Sequence, residues 1–306
     1  MRLRPGRPDI GRHSHRFSVP VAESTSPLTV TWLGVSTLLL DDGSSAVMTD
    51  GFFSRPSLAR VGLGKVSPSP ARVDGCLARV NVKRLEAVIP VHTHFDHALD
   101  SALVADRTGA RLVGGESAAN VGRGHGVAED RLVVADSGTP IRLGAFDITL
   151  VKSRHSPPDR FPGTITEPVI PPVKAAAYRC GEAWSMLVHH RPSDRRLLIQ
   201  GSAGFVKNSL AGQRADVVYL GVGQLGLQPE SYLVDYWAET VQTVGARRVV
   251  LIHWDDFFQP LSKPLRALPY AADDLEFSLR VLSKLAQQDG VALDMPTVWR
   301  REDPWA

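Results

Sequence analysis

Residues His92-Thr93-His94-Phe95-Asp96-His97 concentrate three imidazoles and a carboxylate in six consecutive positions. Alternate side chains of an extended segment point the same way, so His92 and His94 can share one ion, while the turn into a following helix brings Asp96 and His97 round to a neighbouring position. Imidazole nitrogen with a single carboxylate and no thiolate suits Zn2+, as one or two ions, with Mn2+ or Fe2+ as alternatives. A metal there lowers the pKa of bound water toward roughly 7, which makes hydroxide available as a nucleophile without any serine or cysteine. The two cysteines, Cys76 and Cys180, lie too far apart in sequence to suggest a disulfide framework or a cysteine-based zinc knuckle, and they suit a reducing compartment.

The elements that must position this cluster are short. Leu28–Leu33, Ser36–Leu40 and Ala46–Asp50 are β-rich runs around an Asp41-Asp42-Gly43 turn signal. Residues 52–82 hold three prolines and no sustained period, which predicts a long loop. Glu86–Val91 is a buried-looking strand that ends on His92. Leu99, Ala102 and Leu103 then recur at helical spacing up to Gly109. Strands follow at Arg131–Val134 and Phe146–Lys152, then an irregular proline-dense stretch from Ser156 to Gly181. The second half has strands at Trp184–His189, Leu197–Gln200, Val217–Leu220 and Arg248–Ile252. It has two amphipathic helices, one ending at Gly245 and one at Gly290. Strand groups with helices outside them predict two packed sheets covered on both faces.

The 306 residues are 43% hydrophobic and 22% charged, a globular balance that excludes disorder, collagen and coiled coil. No apolar run is long enough for a transmembrane segment. The first sixteen residues carry five arginines without an apolar stretch behind them, which reads as neither secretory signal nor anchor, so a cytoplasmic location is expected. The formal charge of +3 is uneven: 1–23 sets five arginines against Asp9 and Glu23, and 52–79 sets Arg55, Arg60, Lys65, Arg72 and Arg79 against Asp74. Segment 1–23 is therefore expected as a basic flexible tail and 24–306 as a single domain. Segment 52–79 is expected to meet an anionic substrate or, peripherally, lipid head groups. Without interleaved aromatics, no nucleic acid partner is expected. Oligomeric state is silent.

The His-x-His-x-Asp-His segment after a buried strand resembles the metal signature of the metallo-β-lactamase fold superfamily. The resemblance runs from about Leu28 to Trp299 and implies an α/β fold, the four-layer αββα sandwich. It implies His92, His94 and His155 on a first metal, and Asp96, His97 and His253 on a second. Asp50 would be a carboxylate behind a ligand histidine, with Asp96 and His253 as catalytic residues. Thr31-Trp32-Leu33-Gly34, Ile252-His253-Trp254 and Lys263-Pro264-Leu265 are similar to the branch of zinc phosphodiesterases related to N-acyl-phosphatidylethanolamine phospholipase D, and to the ascorbate-6-phosphate lactonase-like branch.

Two positions depart from that branch: Val35 stands where a histidine is usual, and Ser202 stands where an aspartate bridges the metals. A neutral hydroxyl at Ser202 removes one negative charge from between two dications. This predicts a weaker second metal and a more electropositive centre. The resulting expectation is a metal-dependent hydrolase of a small anionic ester, phosphodiester or lactone. The alternative is a catalytically impaired metal- or ligand-binding relative. Specificity is expected from 52–79 and from 156–181, with Arg160 and Lys174; Phe52, Phe53, Phe161 and Tyr178 are candidates for an apolar wall, but ordinary loop packing is the first expectation for each. Of His189 and His190, at least one is expected to be structural, and whether the other faces the site is left open.

Overall fold

In the computed structural model, which describes residues 5–306, the Asp41-Asp42-Gly43 signal folds as a turn. Its two carboxylates accept from the amides of Gly43, Ser44 and Ser45. Strands β1 (Thr29–Trp32), β2 (Leu38–Asp41) and β3 (Ala46–Thr49) form an antiparallel meander around it. After β3 the sheet continues in parallel. Helices α1 (Leu58–Leu63) and α2 (Pro70–Val80) lead to β4 (Leu85–Ile89), and α3 (Phe95–Ala98) and α4 (Ser101–Thr108) lead to β5 (Arg111–Gly114). Helix α5 (Glu116–His125) then leads to β6 (Leu132–Val134).

The second half repeats the plan. Strands β7 (Pro140–Leu143), β8 (Phe146–Lys152), β9 (Trp184–His190) and β10 (Arg195–Gln200) pair antiparallel. Then β11 (Val217–Gly221), α6 (Glu230–Trp237), β12 (Arg248–Ile252), α7 (Leu275–Asp289) and β13 (Ala292–Asp294) build a parallel edge. The last strand, β14 (Arg301–Glu302), returns to pair with β1 in the first sheet. The result is two seven-stranded sheets with helices outside them, the αββα arrangement expected from the element order.

Alternation along the strands decides the packing. Leu38 and Leu40 of β2 turn toward the core that also holds Phe146, Ile148 and Leu150 of β8. Leu39 and Met48 turn the other way, to the core formed with Leu103 and Val104 of α4. Strands buried on both faces read as near-continuous apolar runs, as β11 does with Val217, Val218, Tyr219 and Leu220. Each fully buried leucine or phenylalanine in these cores contributes about 1.5–3 kcal/mol.

One expectation is corrected here. Residues 52–82 are not one long loop: Ser57 caps α1 by accepting from the Arg60 amide, and Pro70 sits in the first turn of α2, where its missing N–H costs nothing. Segment 1–23, over its described residues, lies against the body. Arg7 donates to Asp256 and to the Ala267 carbonyl at 2.8 Å, and Arg16 donates to Ser283 at 2.7 Å. Arginine forks that find fixed acceptors convert a charged stretch into a strap. Arg2 and Arg4 lie outside the described residues.

Candidate metal centre

Every side chain singled out for metal chemistry follows the carboxyl end of a strand, and all of these strands end at the same edge of the two sheets. Asp50 follows β3, His92 lies three residues beyond β4, and His94 to His97 enter α3. From the second sheet come His155 after β8, Ser202 after β10 and His253 directly after β12. Strand ends of open α/β sheets are where backbone groups leave the ladder and loops can gather ligands. The six donors fall into two groups. One nitrogen each of His92, His94 and His155 lies within 4.8 Å of the others, and the same holds for a carboxylate oxygen of Asp96 with nitrogens of His97 and His253.

The partners of the ring nitrogens indicate where the protons sit. His94 Nε2 is 3.2 Å from Asp159 Oδ1 and 3.3 Å from the Phe161 carbonyl, so it carries the proton, and Nδ1 points its lone pair at His92 Nε2, 3.1 Å away. His155 Nδ1 donates to the Ser156 carbonyl at 2.6 Å, which leaves Nε2 free. His97 Nδ1 donates to Asp50 Oδ2 at 2.8 Å, and its buried Nε2 has no hydrogen-bond partner. A buried nitrogen lone pair without a donor is costly unless something electropositive occupies the space before it. Histidines locked in this way by an outer acceptor are oriented for a cation, so the residues present fit a metal.

The two groups differ in charge. Burial, reinforced by the neighbouring imidazoles, holds His92 far below the usual imidazole range. Burial also lowers His94 and brings His155 to about 4. In the other group burial opposes charge on His97, but Asp50 and Asp96 outweigh it and its pKa is raised. Burial likewise opposes ionisation of Asp96, yet His97 and His253 outweigh that and keep it a carboxylate.

The frame around the second group is unusual. Val35, Asp50, Arg55 and His253 all have positive φ, at 51°, 54°, 40° and 59°. Such backbone is rare outside glycine and, for a β-branched residue such as Val35, costs on the order of 1–3 kcal/mol. Hydrogen bonds hold it in place: the Val35 amide donates to Asp255, its carbonyl accepts from the His253 amide at 2.8 Å, and the same carbonyl accepts from Trp32 Nε1 at 2.9 Å. Asp255 is gripped in turn by the fully buried guanidinium of Arg55. Gly34 makes room for it, since a Cβ there would sit 2.2 Å from Arg55 Nη1. Gly223 similarly lets the backbone approach the His253 ring, where a Cβ would be 2.7 Å from Nδ1.

A cavity of ≈ 690 Å³ opens over both groups and is lined by His94, Asp96, His155, Ser202 and His253. Ser202 is thus at the site, but its hydroxyl already accepts from the Ser156 amide at 2.9 Å. Of the four candidate aromatics only Phe161 lines the cavity. Phe52, Phe53 and Tyr178 are buried in the helix-side core, and Phe257 and Phe258 take their place. Arg160 and Lys174 do line it. The arginines of 52–79 do not: Arg55 is buried in its ion pair, Arg72 donates to the Ser54 and Arg55 carbonyls, and Arg79 stacks over Trp299. Neither His189 nor His190 faces the site. Strand β9 runs antiparallel to β8, so its end lies at the opposite edge, where His189 meets Asp194 and His190 meets Asp42.

Sequence reasoning missed Asp159 and the Arg55–Asp255 pair, because nothing local marks a contact made across the fold. Asp159, His94 and Cys180 also approach one another. Burial, with Asp159 beside it, pushes the Cys180 thiol up to about 12, so it stays protonated and is a poor ligand.

No family model matches the chain. It is 28% identical over 129 residues to a UPF0173 metal-dependent hydrolase of Roseiflexus sp. (strain RS-1), covering 42% of this chain and 48% of that protein. The chain thus spans about half the length of the curated relatives it matches. Among solved structures it resembles Igni18, a metallo hydrolase from Ignicoccus hospitalis, with a TM-score of 0.53 at 17% identity over 89% of this chain and 96% of that one. It also resembles the metallo-β-lactamase fold protein YhfI from Bacillus subtilis, with a TM-score of 0.50 at 13% identity over 90% and 98%.

Proposed function

We propose that this chain, which has the metallo-β-lactamase fold, is a metal-dependent hydrolase of a small anionic ester, either a phosphodiester or a lactone. The observation that carries this reading is the set of inward lone pairs. His94, His97 and His155 each spend one nitrogen on an outer acceptor and turn the other toward the shared space. His92, His94 and His155 would hold one cation, and Asp96, His97 and His253 a second. Bound there, a metal of the zinc, manganese or iron class supplies an activated water and polarises the oxygen of the reacting ester.

The chain's own groups do the rest. Asp96, kept ionised and central, accepts a hydrogen bond from the attacking water and orients it. Asp50 keeps the His97 proton on Nδ1. His253, across from Asp96 with Nε2 at 3.6 Å from its carboxylate, limits where that carboxylate can swing. In hydrolysis the water oxygen bonds to the acyl carbon or phosphorus, the C–O or P–O bond to the leaving group breaks, and the departing oxygen takes the proton.

Ser202 favours a second reading. With its hydroxyl committed to the Ser156 amide and no negative charge to offer, the centre binds without turning over. Purified protein assayed against phosphodiesters and lactones, with added zinc or manganese, separates the two. Metal-dependent turnover of either class is the expected result, and stoichiometric metal uptake with no turnover on any ester would establish the binding-only reading.

A further inference from the structure

Resting on the hydrolase reading, we propose that the substrate carries, besides its scissile ester, an aromatic or short apolar arm that ends in a second anionic group, and that Arg160 is the residue that reads that group. The cavity is built in three zones. Its floor is the donor cluster. Its walls are apolar: Phe95, Phe161, Phe257 and Phe258, closed by Leu58 and Val61 of α1. Phe257 packs at 4.5 Å between ring centres on Phe258 and at 5.8 Å on the His253 ring, so the aromatic wall begins where the donors end.

The rim carries two cations. Lys174 is tethered by a 2.9 Å hydrogen bond to the Leu63 carbonyl at the end of α1, which fixes it without neutralising it. Arg160 is exposed, lines the cavity and has no hydrogen bond, ion pair or ring contact among the described residues. This is notable beside Asp159, its neighbour in sequence, whose carboxylate turns away to His94. Among the described residues, Asp96 is the only carboxylate lining the cavity. Arg160 therefore has no carboxylate within ion-pair distance among the described residues, and it lines the same cavity as the donor cluster and the phenylalanines. A guanidinium placed so matches a carboxylate or phosphate in a forked pair, and burial of the connecting arm against phenylalanines supplies binding energy. A substrate whose only charge were at the scissile bond would leave this cation unused.

The test uses matched pairs with the zinc-loaded full chain: phenyl acetate against 4-acetoxybenzoate, and methyl phenyl phosphate against its 4-carboxy derivative. The expected result is at least about a tenfold preference in kcat/KM for the member with the remote carboxylate. Arg160→Gln should collapse that ratio, and Arg160→Lys should restore most of it. Equal use of both members, or a ratio that survives Arg160→Gln, would overturn the proposal. Binding of 4-hydroxybenzoate and phenol, by calorimetry with and without zinc, is the second readout. Tighter binding of 4-hydroxybenzoate that is lost in Arg160→Gln supports the proposal, and equal binding overturns it. Were no ester hydrolysed under any metal, the hydrolase reading would fail while this binding comparison still decided the role of Arg160.

Discussion

The two donor groups share one edge of the fold yet are built on opposite electrostatic principles. His92, His94 and His155 form a neutral set whose surroundings push every member away from positive charge. Asp96, His97 and His253 have one carboxylate in the group and another, Asp50, directly behind it, and there the field favours positive charge on His97. A cation in the first group would gain three lone pairs, with Asp159 behind His94 as its nearest outer carboxylate, whereas one in the second would have a carboxylate, Asp96, among its own donors as well as Asp50 behind His97. Fit to a metal can be reached by geometry or by charge, and the two halves of the centre would draw on them in different proportion.

The most severe way to break that contrast is Asp96→Ala. The second group should lose its cation and hydrolysis should disappear, while the three-histidine group keeps its own. Metal content after dialysis, read beside turnover, checks this, and loss of all metal would show that the groups are not separable.

Next is Arg55→Met, which leaves Asp255 a buried, unpaired charge. A loss of about 3–5 kcal/mol in denaturant unfolding is expected. Because Asp255 holds Val35 and, through it, His253, zinc retained by the folded variant should fall at the second group.

A finer cut compares the two outer carboxylates. Asp50→Asn should weaken cation affinity about 10- to 100-fold. Asp159→Asn should weaken it less, since the Phe161 carbonyl remains as an acceptor for His94. Equal effects in a zinc titration would contradict the asymmetry.

The smallest change expected is from Ser202→Asp, a few-fold rise in occupancy of the second group as negative charge returns to the site. Unchanged stoichiometry would count against a bridging position for residue 202.

The contiguous run from His92 to His97 was legible because its spacing alone states the chemistry. His155 and His253 were legible through the strands that end just before them and through a family resemblance. Helix α5 was not legible. It contains Gly122 and Gly124, poor helix formers that hide the helix from its local sequence and stand there because tertiary neighbours leave no room for a Cβ: one at Gly124 would run into the Val169 backbone. Helices α1 and α2 did carry local signals, Ser57 and Ser69-Pro70, which the proline and glycine content of 52–82 obscured. The basic character of 52–79 misled in another way. Composition counts charges but does not say which way they face, and Arg55, Arg72 and Arg79 are spent on a buried carboxylate, two carbonyls and an indole. Asp159, Phe257 and Phe258 had no signal at all, because their roles exist only once the two halves meet.

That meeting has a mechanical consequence. His92 to His97 belong to the first sheet, His155 and His253 to the second, and each donor group draws on both. An ion held by either group would act as a rivet across the seam between the two slabs, adding to the hydrogen bonds that already cross it, such as those from the His253 amide to the Val35 carbonyl and from the Trp184 amide to the Val91 carbonyl. The melting temperature should climb with free zinc concentration as ligand linkage requires, and a chelator should loosen the seam before it unravels either slab.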